Sequence, residues 1–312
     1  MRKCNHTLPT VTVAMSALNE ARNIEAWLGS VLAQREDGFT LEKILVVSDG
    51  STDATADIAR SAGSIKVEVR EYRERIGKSS RLNEMYAALT SDILVQSDAD
   101  VVFAHPRVIR DVIQPLLTEL SVAMCGGNPL PVTAQTFTEK AVNCTCAVYA
   151  PLRWQVRGGD NVFSVDGRLL AYRRFLVSSI HVPHDMIAND AYTYFCCITR
   201  GYQYRFVRSA VVYFRSPQTV AEQVKQNTRF AAAPLRMGRY FPADVVRREY
   251  HIPPAVLFRN MARQFLRHPI LCLSIFVVNS YCKLRAKVVE RKLTARWQMV
   301  PTTKHVRTEG DV

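Results

Sequence analysis

Strand-length apolar segments alternate with segments of helical periodicity through the N-terminal third of the chain. The four apolar segments, rich in Val, Ile and Leu, lie at 11–17, 43–48, 64–72 and 92–97. Between the first two, apolar side chains recur at the spacing of one helix face, at Ile24, Trp27, Leu28, Val31 and Leu32. This β-α-β-α order predicts an α/β fold whose mostly parallel central sheet is flanked by helices on both faces.

The alternation weakens after about residue 126. The elements predicted there are, in chain order, a turn or connection at GGNPLPV, a helix over 136–157, a strand at VDGRLLAYRR, a helix over 189–200, two short strands at YQYRFV and AVVYF, and a helix at TVAEQVKQNTRF. No internal repeat separates these elements into smaller units. We therefore predict one α/β domain over residues 1–232.

The C-terminal region, residues 233–312, has a different pattern. Arg259, Arg263 and Arg267 share one helix face, and the segment 269–282 then runs for 14 residues without a charge. That run is shorter than the roughly 17 to 25 residues needed to cross a bilayer. The pattern favours a basic amphipathic helix and a short apolar helix that lie in a membrane surface, and a packed C-terminal helical hairpin is the alternative.

The distribution of charge supports a separate role for this region. The chain has 312 residues, of which 48% are hydrophobic, so it can bury a sizeable core. Its net charge is +13, but residues 1–199 hold 20 Lys and Arg against 22 Asp and Glu, whereas residues 200–312 hold 21 against 6. Such an excess predicts an anionic partner for the C-terminal region, either lipid headgroups or nucleic acid.

Targeting and cysteine patterns exclude several other classes. The N-terminal sequence MRKCNHTLPTV lacks the apolar stretch of a secretory signal, which predicts a cytoplasmic location. The eight cysteines include no CxxC pair and the seven histidines no HExxH spacing, so we expect reduced thiols rather than disulfides or a zinc site. No GxGxxG follows the first strand, and a dinucleotide site is therefore not predicted.

Polar and acidic clusters follow three of the predicted strands. They are Asn19-Glu20 after the first strand, the segment 48–53 after the second, and Asp98-Ala99-Asp100 after the fourth. Because ligands bind beyond the carboxyl ends of parallel strands, these clusters are expected to meet at one sheet edge. Two residues apart in extended chain, Asp98 and Asp100 point the same way and can approach one divalent cation together. Taken alone, however, an acidic pair at this spacing is not specific for a metal site, because such pairs commonly occur as turn or helix-cap residues at strand ends.

Six motifs occur in order along the chain. They are SDGSTD (48–53), GKSSRLN (77–83), SDAD (97–100), VDGRLLAYRR (165–174), ND (189–190) and QNTRF (226–230). Together they resemble the family 2 glycosyltransferases of the GT-A fold, including the branch marked by QxxRW, over residues 10–230. The resemblance implies a GT-A type catalytic domain, followed here by the C-terminal helical region at the membrane surface.

The resemblance also implies residue roles. Asp190 would be the catalytic base, with Asp185 as the alternative because Asn189 stands where the family usually has Glu. The residues implied to bind the nucleotide sugar are Asn19, Glu20, Asp49, Lys78, Asp98 and Arg229. Those implied to hold Mg²⁺ or Mn²⁺ are Asp98 and Asp100, and those implied to bind the acceptor are Gln226 and Phe230, with Phe replacing the Trp of QxxRW.

Side-chain chemistry agrees with the roles at the last motif. Gln226, Arg229 and Phe230 are spaced i, i+3 and i+4, so on a helix they form one patch. The forked guanidinium of Arg229 can grip a diphosphate, and the ring of Phe230 can present a flat face to a sugar or an acceptor.

The predicted activity is metal-dependent, inverting transfer of a hexose or N-acetylhexosamine from a nucleotide sugar, with a UDP-sugar favoured over a GDP-sugar. The QxxRW-like element favours a polysaccharide acceptor, and the C-terminal region favours a lipid-linked saccharide. The expected partners are the donor, the acceptor and an anionic membrane surface, with the enzyme peripheral on the inner face of the membrane. Two other classes remain open: a nucleic-acid-binding protein that uses the basic C-terminal region, and a catalytically inactive GT-A scaffold.

Overall fold

The computed structural model of the chain describes residues 8–294 and 301–303. These residues form one mixed sheet of eight strands in the order β3-β2-β1-β4-β7-β6-β8-β5. The strands are β1 Thr10–Ala17, β2 Thr40–Asp49, β3 Val67–Tyr72, β4 Ile93–Ser97, β5 Val101–Phe103, β6 Val122–Pro131, β7 Leu169–Arg173 and β8 Gln203–Phe214. All four strands predicted in the N-terminal third are present.

Helices connect the strands and make up the C-terminal part of the described chain. They are α1 Ile24–Leu32, α2 Thr55–Arg60, α3 Lys78–Ala87, α4 Val108–Thr118, α5 Phe137–Tyr149, α6 Leu152–Gln155, α7 Arg174–Val177, α8 Asn189–Thr199, α9 Val220–Met237, α10 Ala243–Glu249, α11 Pro254–Arg267 and α12 Pro269–Val289. Short 3₁₀ turns lie at Arg157–Gly159, Val162–Ser164, Glu290–Lys292 and Pro301–Thr303.

Strand direction changes in the middle of the sheet. β1 runs parallel to β2 and β4, and β2 runs parallel to β3, as the helical crossovers predicted. β7 is antiparallel to β4, and the remaining strands continue a mixed half in which β6 and β8 are parallel. The predicted fold class, a mostly parallel sheet with flanking helices and C-terminal helices, is confirmed.

The core lies in two layers, one on each face of the sheet. Along β1, Val13 and Met15 enter a cluster with α1 and α4, whereas Ala14 enters a second cluster with α3 and α8. This alternation follows from the period of two in an extended chain. Four of the five apolar residues predicted for the face of α1 are buried, and Leu32 at the end of the helix is partly exposed. The helices thus cover both faces of the sheet.

The prediction of a turn at GGNPLPV is wrong, because this segment lies in the buried strand β6. Its two glycines are explained by close packing within the sheet rather than by a turn. A Cβ atom on Gly126 would lie 2.0 Å from the hydroxyl oxygen of Tyr204, and one on Gly127 would lie 2.4 Å from Leu169 Cδ2. Only a residue without a side chain lets the neighbouring strands approach this closely.

Two further predictions after residue 126 need correction. The two short strands are one strand, β8, whose register against β6 shifts between Gly126 and Asn128. The amide of Asn128 spans this irregularity by donating to the Arg208 carbonyl at 3.2 Å. The single helix predicted over 136–157 is divided into α5 and α6, because Pro151 has no N–H with which to continue the helix.

The C-terminal helices pack against the sheet domain along much of their length. α12 lies against α9 and α5, and Ile275 is buried there among Ala141 and Val142 of α5. α9 continues from Val220 through the boundary predicted at residue 232 and ends at Met237. The division into domains 1–232 and 233–312 remains a prediction.

A buried arginine holds the C-terminal helices in place. Arg236 is 1% exposed and pairs with the Glu290 carboxylate. It also donates to the carbonyls of Glu290, at 2.6 Å, and Leu293, at 3.1 Å. A further nitrogen contacts Asp185, in the loop before α8, at 3.3 Å from its carboxylate. One side chain therefore joins α9, the end of α12 and this loop.

Arg236→Leu is expected to lower the free energy of unfolding by about 3 kcal/mol, because it leaves the buried Glu290 carboxylate without its main partner. Urea unfolding followed by circular dichroism measures the change. Arg239→Leu is the matched control: Arg239 pairs with the same carboxylate but is 39% exposed, so its loss is expected to cost under about 1 kcal/mol. Equal losses for the two variants would contradict an anchoring role for Arg236.

Candidate active site

The opposed direction of β7 brings two distant segments to the carboxyl end of β4. Every residue of β4 is buried, and Ser97 at its end pairs with Leu169 of β7. Ser97 Oγ accepts from the indole nitrogen of Trp27 at 3.1 Å and donates to the Asp98 carbonyl at 2.9 Å. Asp98 therefore leaves a rigid strand next to the residues that precede Leu169.

Asp98 and Lys78 form an ion pair in this position. Their side chains are 20% and 14% exposed. Lys78 is the first residue of α3 and follows Gly77, whose φ of +98° favours glycine. Asp100 follows the buried Ala99 and is partly exposed. Both predicted metal ligands thus lie where a ligand could reach them.

Asp49 holds the loop that delivers Lys78. Its carboxylate accepts from the backbone nitrogens of Ile76 at 3.0 Å and Gly77 at 2.8 Å, and from Arg81 Nε at 2.9 Å. Asp49 is 3% exposed, and its bonds fix the entry into α3. Its role toward the base of a nucleotide remains a prediction.

Asn19 and Glu20 tie the ends of β1 and β2 together. Asn19 has a φ of 55°, and its side-chain oxygen accepts from Thr52 N at 2.7 Å. The backbone nitrogen of Glu20 donates to Thr55 Oγ1 at 2.8 Å. Because β1 lies between β2 and β4, these residues share the sheet edge that carries Asp98.

Asp190 lies in the first turn of α8, close to Asp98. Its carboxylate accepts from the backbone nitrogens of Ala191 at 2.8 Å and Gly167 at 3.3 Å. Gly167 lies between the two acids: a Cβ atom there would be 3.7 Å from Asp98 Oδ2 and 3.8 Å from Asp190 Cβ. Burial raises the pKa of Asp190, and the nearby Asp166 raises it further, against the opposite influence of Lys78. A carboxylate in this setting is a better proton acceptor than an exposed one.

Arg229 of α9 reaches the same site. Its Nη2 donates to the Ile187 carbonyl, just before α8, at 2.8 Å. Burial lowers the pKa of Arg229 to about 10, while Asp190 and Asp98 oppose this shift, so it stays cationic at neutral pH. Gln226 lies one turn earlier and is partly buried, whereas Phe230 is 55% exposed. Phe230 therefore presents its ring at the surface beside Arg229.

The structure adds three residues that sequence reasoning did not assign. Arg168 contacts Asp166 at 3.0 Å and stacks 3.8 Å above the Phe214 ring. Against the effect of burial, Asp166, Asp100 and Asp98 raise the pKa of Arg168. Arg153 lies 3.9 Å from Asp166.

Asp166 and Arg168 lie in the motif VDGRLLAYRR, but the sequence pattern assigns neither residue a role. Arg153 lies outside all of the motifs. Arg168 Nε is buried without a hydrogen-bond partner among the described residues. A buried donor of this kind usually has a partner such as a water molecule, an ion or a ligand.

Asp185, the alternative base, is engaged elsewhere. One carboxylate oxygen accepts from the Tyr240 hydroxyl, and the other lies 3.3 Å from Arg236. These contacts give Asp185 a structural task in anchoring α9. The assignment of Asp190 as the base remains a prediction.

Several of the predicted site residues come together at the carboxyl end of β4. Electrostatic interactions link Asp98 with Asp190 and Arg229, and link Asp100 with Arg168. Asp49 contributes indirectly, by holding the backbone of the loop before Lys78. No group of three or more His, Cys, Asp or Glu within the described ranges is arranged to hold a metal. Asp98 and Asp100 nevertheless offer hard oxygen ligands, which fit Mg²⁺ or Mn²⁺ completed by phosphate oxygens.

Known proteins resemble this chain in sequence and in fold. It is 26% identical to the probable glycosyltransferase YdaM of Bacillus subtilis over 293 residues, which is 90% of this chain and 69% of YdaM. It is 34% identical over 113 residues to the glucosyl-3-phosphoglycerate synthase of Mycobacterium tuberculosis, covering 35% of this chain and 34% of that enzyme. A structure of the mycobacterial enzyme with Mn²⁺, UDP and phosphoglyceric acid superposes with a TM-score of 0.53, at 22% identity over 73% of this chain and 78% of that one.

A further structural match covers most of the chain. The mannosyltransferase PcManGT of Pyrobaculum calidifontis, in complex with GDP-mannose and Mn²⁺, has a TM-score of 0.62. The match includes 92% of this chain and 88% of that one at 18% identity. The family model described as "Glycosyltransferase like family 2" matches residues 9–233, which include each residue assigned above to the sheet edge. The chain belongs to glycosyltransferase family 2 and has the GT-A fold.

Proposed function

We propose that the protein transfers a hexose or N-acetylhexosamine from a nucleotide sugar to an acceptor hydroxyl, with inversion at the anomeric carbon. The observation that carries this proposal is the Asp190 carboxylate, whose pKa burial raises, next to Asp98 and Gly167 at the sheet edge. A base, an acidic metal-binding pair and cations for a diphosphate are the groups that such a transfer requires.

The donor's diphosphate would lie among Lys78, Arg168 and Arg229. Developing negative charge on a leaving nucleoside diphosphate needs cationic partners that are already in place. Asp98 and Asp100 would hold Mg²⁺ or Mn²⁺, which when bound stabilises the charge of the diphosphate. Asn19, Glu20 and Asp49 would complete the nucleotide side of the site, where β1 and β2 end.

A UDP-sugar is the favoured donor. The mycobacterial relative is 34% identical over its matched segment, and its structure contains UDP. The Pyrobaculum enzyme, at 18% identity, contains GDP-mannose.

Asp190 would take the proton of the acceptor hydroxyl while that oxygen attacks the anomeric carbon from the face opposite the leaving group. The backbone nitrogens of Gly167 and Ala191 keep the carboxylate oriented for this step.

The acceptor would be a polysaccharide or a lipid-linked saccharide hydroxyl. Gln226 and Phe230 share a face of α9 with Arg229, as in the QxxRW branch, and would bind it. The exposed Phe230 ring suits a sugar face.

We also propose that residues 1–232 act as the catalytic domain and residues 233–312 as the membrane-associated region. The enzyme would be cytoplasmic and peripheral on the inner face of the membrane.

The surface of α11 and α12 supports membrane association. Large apolar side chains are exposed along both helices, at Phe258, Met261, Phe265, Leu266, Ile270, Leu273, Phe276, Val277, Tyr281, Leu284 and Val288. Between Glu249 and Glu290 the sequence contains no acidic residue, whereas Arg259, Arg263 and Arg267 are exposed. Apolar side chains bordered by cations match an anionic bilayer surface.

The packing of α12 favours a position in the plane of the membrane. Pro269–Lys292 is the one helix in the described residues that is long and apolar enough to cross a membrane by length and composition. Its opposite face, however, is occupied along the helix: Ile275 packs against α5, and Cys282 and Ala286 are buried. A helix held on the protein in this way lies on a bilayer with only its outer face inserted.

Asp190→Asn is expected to reduce transfer at least about 100-fold while leaving UDP binding within about threefold, because the amide keeps the contacts but cannot accept the proton. Radiolabelled or coupled transfer assays over a set of nucleotide sugars measure the first effect, and calorimetry measures the second. Asp185→Asn is the control and is expected to retain most activity. The reverse pattern for the two variants would make Asp185 the base, and equal loss of binding and transfer in Asp190→Asn would remove it from the chemistry.

The rate is expected to fall on the acid side at a pH above that of an ordinary aspartate. The base is active only as a carboxylate, so activity is present above the raised pKa of Asp190 and is lost as the pH falls through it. A profile of kcat/KM against pH measures this limb. An acid limb that persists unchanged in the residual activity of Asp190→Asn would assign it to another group.

The intact protein is expected to sediment with vesicles of phosphatidylglycerol and phosphatidylcholine far more than with phosphatidylcholine alone. Replacing Arg259, Arg263 and Arg267 together by Gln should weaken this binding about 100-fold, at roughly 1 kcal/mol for each cation near the surface. Lys43→Gln with Lys66→Gln, two lysines of the sheet domain, serves as the control. Salt-sensitive binding to duplex DNA without uptake by vesicles would favour the nucleic-acid alternative instead.

A further inference from the structure

Acidic and basic side chains alternate at the sheet edge that carries Asp98. Mutual electrostatic influence links four carboxylates to four cations at this sheet edge. The carboxylates are Asp98, Asp100, Asp166 and Asp190, and the cations are Lys78, Arg153, Arg168 and Arg229. These eight side chains thus comprise equal numbers of acids and bases.

The four cations differ in what holds them. Arg168 is fixed by Asp166 and by the Phe214 ring, and Arg153 donates to the Pro129 carbonyl at 2.8 Å. Arg229 donates to the backbone at Ile187. Lys78, by contrast, pairs with Asp98, one of the two acids assigned to the metal. It is also the cation with the most compact charge on the most flexible stem.

A divalent ion at Asp98 would compete with this ammonium group. It would add two positive charges to the cluster and repel Lys78 from the shared carboxylate. The diphosphate of a nucleotide sugar brings about two negative charges, which offset those of the ion and offer Lys78 a new partner. The metal ion alone or the diphosphate alone would give the partly buried cluster an excess of charge, whereas the two bound together would not.

We propose that Lys78 and a divalent metal compete for Asp98, and that transfer of the Lys78 ammonium group from Asp98 to the donor's diphosphate couples metal binding to nucleotide binding. This inference rests on the proposed function, because it places metal and donor at the same sheet edge. Coupling between two ligands is reciprocal, so the metal must strengthen nucleotide binding by the same factor as the nucleotide strengthens metal binding.

The test uses the intact protein with Mn²⁺ and UDP as probes. Electron paramagnetic resonance of free Mn²⁺ measures metal affinity with and without UDP, and calorimetry measures UDP affinity with and without Mn²⁺, both corrected for Mn²⁺–UDP association in buffer. Wild-type protein is expected to show mutual strengthening of at least about tenfold. Lys78→Met is expected to bind Mn²⁺ alone about tenfold more tightly than wild type and to lose most of the coupling.

Matched variants separate this effect from a general change in charge. Lys43→Met removes a lysine that also pairs with a carboxylate, Glu68 at 2.6 Å, but at the opposite end of β2, and should leave Mn²⁺ affinity unchanged. Lys78→Arg should keep the coupling, and Asp100→Asn should weaken Mn²⁺ binding.

Unchanged Mn²⁺ affinity in Lys78→Met, or coupling below about twofold in wild type, would overturn the role of Lys78 even if sugar transfer is observed. Failure of wild-type protein to bind Mn²⁺ and UDP together would overturn the proposed function as well.

Discussion

The candidate active site depends on neutralising several carboxylates that the fold brings together at one edge of the sheet. Asp98 and Asp190 approach each other across Gly167, with Asp166 next to them, in a partly buried setting. Like charges at this separation would repel strongly in a medium less polar than water. Lys78, Arg168 and Arg229 make the cluster tolerable, and the same cations are what a diphosphate requires. The cations that balance these acids are therefore the same ones that we propose bind the diphosphate.

The backbone enforces this crowding through strand direction. β4 leaves the core at Ser97, and antiparallel β7 enters opposite it at Leu169, so the end of one strand meets the start of the other. An all-parallel arrangement would send the residues before Leu169 to the far edge of the sheet. Asp166 and Arg168 could not then balance Asp98. The change from parallel to antiparallel pairing in the middle of the sheet is thus what completes the charge cluster.

Local sequence patterns predict only those features that do not depend on contacts between distant segments. The four N-terminal strands and the face of α1 follow from local periodicity, and the motif order identified the family. Arg168 could not be assigned, because its position depends on pairing between β4 and β7, some 70 residues apart in the chain. Arg153 lies in α6 and meets Asp166 only through the tertiary fold. The glycines of β6 misled the prediction since a glycine in a turn and a glycine under a Tyr204 hydroxyl look the same in sequence. Asp49 looks like a ligand contact from its motif, and its hydrogen bonds show that it also builds the loop before Lys78.

Helix α9 connects this cluster to the C-terminal helices. One part of its surface carries Arg229 into the site, while Asn227 donates to Asn279 of α12 at 2.7 Å. Asn279 in turn donates to the Thr145 hydroxyl of α5 at 3.2 Å, so two hydrogen bonds connect α9 to α5 through α12. Near its C-terminal end, Arg236 repeats the connection through Glu290. Arg229 thus lies between two positions at which α9 is bound to α12 and the turn that follows it. The C-terminal helices, with their basic and apolar surface, are therefore joined directly to the helix that carries Arg229.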